Sequence, residues 1–154
     1  MFLQDMSNRE KSLWSKVLLD VIIALYFFPE VFAMDGGMAA NVDEISFLIG
    51  SVIVIAIVGS IVIYWLLDAG KAEKKDERDY QFEARSYLVG YAVMLTAVSI
   101  FIGHIILNEL TIRLFNFQYE DLTSLQIVIY LLLSLTLAEF FKDATKLFYY
   151  RRGY

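Results

Sequence analysis

The chain has 154 residues, of which 58% are hydrophobic, and its mean hydropathy is +0.57. Soluble domains run at roughly 45–50% apolar, so this composition points to a membrane protein, with the charged fifth of the chain segregated from its apolar blocks. The net charge of −5 and pI of 4.8 argue against nucleic-acid binding, and the absence of Cys excludes disulfides and thiol chemistry.

Residues 1–11 mix acidic and basic groups, and no small-residue cleavage site follows the next apolar stretch, so no removable signal peptide is expected. Ser7-Asn8-Arg9-Glu10 has capping-box spacing, which starts a helix ahead of the first apolar segment. That segment, about 13–33, is the least regular of four. Asp20, Pro29 and Glu30 interrupt it, and Pro29 removes the backbone bond to Leu25, so a kink or an early end near Phe28 is expected. Lys16 and Asp20 stand one turn apart and are expected to pair. Residues 34–44 read as a short acidic turn.

The second segment, 45–67, and the third, 86–107, hold no Asp, Glu, Lys or Arg. Either is long enough, at 1.5 Å per residue, to cross the roughly 30 Å hydrocarbon layer as a helix. In the second, Ala56 and Ser60 flank Gly59 with the small-residue spacing that permits close helix approach within or between subunits. Gly50, Gly90 and Gly103 are further candidates. Residues 71–85 have mixed charge and helix-forming composition, and they read as a cytosolic extension of the third helix, with Tyr80, Ala84, Tyr87 and Tyr91 on one face. Residues 108–124 carry Leu110, Ile112, Leu114, Phe115, Phe117 and Tyr119 and suit the outer interface, either as a short helix or extended. The fourth segment, about 122–141, contains one carboxylate, Glu139.

Orientation follows from the Lys and Arg residues. Three lie near the N-terminus, five between the second and third segments and four after the fourth, against none in the first outer connection and only Arg113 in the second. The positive-inside rule then places both termini and the middle loop in the cytosol. Trp14, Tyr64, Trp65, Tyr87, Tyr149 and Tyr150 fall at the same interface. The expectation is an all-α, single-domain, antiparallel bundle of four transmembrane helices spanning residues 1–154, in the cytoplasmic membrane of a prokaryote, with self-association.

Lys75-Asp76-Glu77-Arg78-Asp79, leading through Glu83-Ala84-Arg85 into a Tyr-rich span, and the terminal Tyr150-Arg151-Arg152-Gly153 resemble a broad group of uncharacterised prokaryotic four-helix integral membrane proteins. These carry an Asp-Glu-Arg motif before the third span and a Tyr-Arg-Arg-Gly-like end. The resemblance implies fold and location, and no activity.

Two sets of residues bear on function. Asp20, Glu30, His104, Glu109 and Glu139 are ionisable groups within or at the ends of spans, where insertion costs a few kcal/mol. Glu30, His104 and Glu109, on the outer side, have the chemistry to hold a divalent cation or relay a proton; the plainer reading is helix ends reaching water and a His bonded to a neighbouring helix. Asp20 and Glu139, on the inner side, suit ion pairing with lysines or, alternatively, proton-coupled transport. The second set, Asp76, Glu77, Arg78, Arg151 and Arg152, suits a cytosolic surface for a protein partner, and the basic end also suits anionic lipid headgroups. The sequence holds no Gly-rich phosphate loop, a single His and no recognisable nucleophile motif. No catalytic residue, cofactor or metal ion is expected, and the leading expectation is a non-enzymatic membrane protein that acts by interaction, with a small ion- or proton-coupled transporter or channel as the alternative.

Overall fold

A computed structural model describes residues 6–34, 40–66, 75–115 and 122–152. It is all-helical, with α1 at Asn8–Ala33, α2 at Val42–Leu66, α3 at Glu77–Phe115 and α4 at Ser124–Arg152. α2, α3 and α4 are each long and apolar enough to cross a membrane. Among the described residues three of the four helices meet that measure of length and composition, and α1, whose apolar run is broken by Asp20, Pro29 and Glu30, is not one of them.

Helix ends differ from the sequence reading in a consistent direction. Ser7 caps α1 as its spacing predicts, its Oγ accepting from the Glu10 N–H at 3.2 Å. The helix then runs through Pro29 to Ala33 instead of stopping near Phe28. Proline removes one backbone bond, and the residues around it explain why the helix survives: Phe27, Phe28 and Val31 are buried in the main apolar core with Ile45, Leu48 and Ile129. The third helix is one continuous element of 39 residues, about 58 Å long at 1.5 Å per residue. Residues 77–85 are therefore helical as the sequence suggests. Residues 108–115 continue α3, Ser124 already begins α4, and residues 116–121 of that outer connection, like 67–74 of the cytosolic one, lie outside the described residues. α4 extends eleven residues beyond 141, into the basic end.

The three extensive interfaces are α1 with α2, α1 with α4, and α3 with α4. They join the helices in a row, α2–α1–α4–α3, and among the described residues no interface of like extent closes it into a ring. Neighbours are antiparallel, since the starts of α2 and α4 meet the end of α1 in the apolar core. The sequence accounts for the order. α1 buries six residues on two sides, Leu13, Ser15, Val17, Phe27, Phe28 and Val31, and so sits inside the row. α2 is apolar all round and buries only Ile45 and Leu48, leaving Phe47, Ile53, Ile57, Ile61 and Trp65 exposed at the edge. An all-apolar exposed surface is what a lipid solvent requires.

The α3–α4 interface is tight at one point. Asp79, Phe82, Ser86 and Gly90 form a buried helical stripe on α3. A Cβ at Gly90 would lie 3.1 Å from Lys142 Cβ and 3.2 Å from the Ala138 carbonyl oxygen, so the missing side chain sets the approach. Gly59 plays the same part between α2 and α1, against Leu19. Gly50 and Gly103 face open space, so the close approach suggested for them is absent among the described residues.

Candidate functional site

The start of α1, the end of α2, the start of α3 and the end of α4 converge, and most of the charge of the chain gathers there. Asp79, only 4% exposed, is the hub. One of its carboxylate oxygens accepts from the Tyr150 hydroxyl, and the other pairs with the Arg9 guanidinium and accepts from the Asp76 N–H at 2.7 Å. Asp76 in turn accepts from the Asp79 N–H at 2.8 Å. This reciprocal pair is a capping box made of two aspartates, and it satisfies two of the orphan donors at the start of α3.

Around the hub, Glu10 pairs with Arg151 at 2.6 Å, so its carboxylate reaches α4 rather than closing the box at the start of α1. Glu83 pairs with Lys75 at 2.6 Å and with Lys146 at 3.3 Å. Ser12 and Tyr64 are hydrogen-bonded at 3.2 Å, tying α1 to α2. Aromatic rings underlie these pairs: Phe82 stacks on Tyr149 and meets Tyr150 edge-on, and the Arg85 guanidinium lies over the Tyr149 ring. The Lys75 hydrogen bond, with Lys146 nearby, holds the Glu83 carboxyl below the usual carboxylate range. Burial pushes the Tyr150 phenol up, which keeps the proton that it donates to Asp79.

The proposed interaction residues divide on this geometry. Asp76 is exposed, yet its side chain caps α3, and Arg151 is engaged by Glu10. Arg78, with 71% of its side chain exposed, reaches Asp76 at 3.4 Å. Glu77 is exposed, and Arg152 is exposed over the Phe148 ring. The outward surface is thus carried by Glu77, Arg78 and Arg152. Asp79, which the sequence reading passed over, is the residue on which the end is built. Its signal was present, as the Asp76–Asp79 spacing matches that of Ser7–Glu10.

The ionisable residues within or at the ends of the apolar segments, Asp20, Glu30, His104, Glu109 and Glu139, do not come together. Glu30 is exposed on α1, while His104 and Glu109 are exposed on α3, and Glu109 pairs with Arg113 one turn on, at 2.8 Å. Among the described residues no group of three His, Asp or Glu is placed to hold a metal ion. Glu139 is exposed and paired with Lys142. Asp20 is half-buried at the α1–α4 seam, within electrostatic range of Asp143, Glu139, Lys142 and Lys16; no direct ion pair to Lys16 forms among the described residues.

No protein-family model, curated protein or solved structure matches the chain.

Proposed function

We propose that this chain is an integral membrane protein of a prokaryotic cytoplasmic membrane, with its charged end and both termini in the cytosol, which works by binding another protein and not by catalysis. The observation that carries this reading is the division of labour at the charged end. Asp79, Glu83, Glu10, Arg9, Lys146 and Arg151 are spent on joining α1, α3 and α4, while Glu77, Arg78 and Arg152 face outward from the same helix ends. A frame fixed by internal ion pairs presents its remaining charges in a defined arrangement, which favours specific recognition over loose attraction. The excess of Lys and Arg at this end supports the cytosolic orientation. The exposed apolar side of α2, including Ser60 and Ile57, is available to lipid and to a second copy of the chain.

The test is capture from detergent-solubilised membranes. Reversing the charges in Glu77→Lys and Arg78→Glu should abolish recovery of a specific partner while membrane insertion is retained. A partner profile identical to that of the wild type rejects the reading.

A second reading, ion- or proton-coupled transport, draws support from Asp20, a half-buried carboxyl facing acidic and basic groups of α4. Liposomes containing the protein should then show pH-driven flux that Asp20→Asn removes; the absence of flux across a panel of ions eliminates it.

A further inference from the structure

At the end of the molecule opposite the charged cluster, a cleft opens sideways between the second half of α3 and the first half of α4. Its inner part, about 760 Å³, is walled by Ile100, Phe101, Tyr130, Leu133 and Leu137. Its outer part, about 560 Å³, is lined largely by apolar residues such as Ile106 and Ile112, with Asn108, Glu109 and Arg113 as its polar groups. His104 and Leu122 line both, so the two volumes adjoin as one cleft, apolar along its length and carrying its charged groups at the outer part. Ala97 and Ser134, two small residues, line the apolar length.

The outer part is dipolar. Glu109 and Arg113 pair at 2.8 Å but keep 58% and 71% of their side chains exposed. The carboxylate has lone pairs to spare and the guanidinium has further N–H groups, so both can take an additional partner without separating. A purely anionic headgroup placed here meets Glu109, and a purely cationic one meets Arg113. Only a headgroup that offers an ammonium and a phosphate side by side satisfies both.

We propose that this cleft binds a phospholipid with a phosphoethanolamine headgroup. Its ammonium donates to Glu109, its phosphate accepts from Arg113 and from a ring N–H of His104, and one acyl chain lies along Ile100, Phe101, Leu133 and Leu137. A trimethylated choline headgroup has no N–H to give Glu109 and is discriminated against. The proposal rests on the reading that the helices lie in a bilayer.

The test uses the intact protein in detergent, offered equimolar phosphatidylethanolamine, phosphatidylcholine and phosphatidylglycerol with identical chains, and reads bound lipid by native mass spectrometry. Phosphatidylethanolamine should be retained about tenfold over the other two, the size of effect expected for one charge-assisted hydrogen bond. Glu109→Gln should erase that preference. Ala97→Leu with Ser134→Leu should lower retention of all three, and chain-free glycerophosphoethanolamine should not compete. Equal retention of the three lipids by the wild type, meaning annular lipid only, overturns the proposal whatever the variants do. A preference that survives Glu109→Gln overturns the assignment of the ammonium. Fractionation separates the two levels: protein found in the membrane without lipid preference defeats only this inference, whereas protein soluble without detergent defeats the bilayer reading itself.

Discussion

Asp79 serves its own helix and two others with one carboxylate. It completes the cap of α3 and takes a cation from α1 and a hydroxyl from α4. Removing it leaves Arg9 and Tyr150 without their shared acceptor in a buried place, and a broken buried pair typically costs 3–5 kcal/mol. Asp79→Ala is expected to destabilise the protein by about 3 kcal/mol, read as a shift in the denaturation midpoint in micelles. Tyr150→Phe, which removes one neutral donor, should cost about 1 kcal/mol. The neighbouring Glu83 gives the end its pH dependence. Its folded-state pKa lies below the ordinary 4.5, so its ion pairs contribute fully above that value and are lost as the pH falls through the depressed one. Acidification below about pH 4.5 should therefore loosen the charged end first, seen as faster hydrogen exchange at residues 77–85 than in the centre of α3, and Glu83→Gln should reduce that pH dependence. At this scale the sequence was half legible. The local half, capping spacings such as Ser7–Glu10, can be read from the order of residues. The partners of Asp79 lie on other helices, with Tyr150 71 positions away, and nothing in the local pattern names them.

The α3–α4 pair rests on the stripe Asp79, Phe82, Ser86 and Gly90. Gly90 and Gly103 make an internal comparison on one helix. A β-branched side chain at Gly90 must push against Lys142 and the Ala138 backbone, so Gly90→Val should destabilise by about 1–3 kcal/mol, while Gly103→Ala should be neutral or stabilising. Thermal unfolding of the two variants in the same detergent checks both signs. The central segments of α2 and α3 were legible because uncharged runs of that length have a single economical structure in lipid. The helix ends were not, because a hydropathy pattern marks where lipid stops and not where hydrogen bonding stops; α3 and α4 both continue into charged sequence. The Tyr stripe was legible from its spacing: Tyr80, Tyr87 and Tyr91 share an exposed side of α3, with Lys75 over Tyr80 and Lys142 over Tyr87.

For the whole molecule, charge and apolar surface divide by position in the row. α1 carries Asp20 and Glu30 and lies between two neighbours, whereas the edge helix α2 shows an almost wholly apolar surface. This is why the helix least able to cross a membrane by composition is also the one with the most buried side chains. The absence of native Cys makes orientation directly testable: Glu77→Cys and Arg152→Cys should react with an impermeant maleimide only after cell disruption, and Glu109→Cys in intact spheroplasts. The open row has a further consequence for assembly. Each sequential pair, α1 with α2 and α3 with α4, owns an interface of its own, and among the described residues the α1–α4 seam is the only extensive one that crosses between them. The polypeptide is in effect two hairpin modules clasped along one plane, so halves comprising residues 1–70 and 71–154, made from separate messages in one cell, should insert independently and co-purify as a complementing pair.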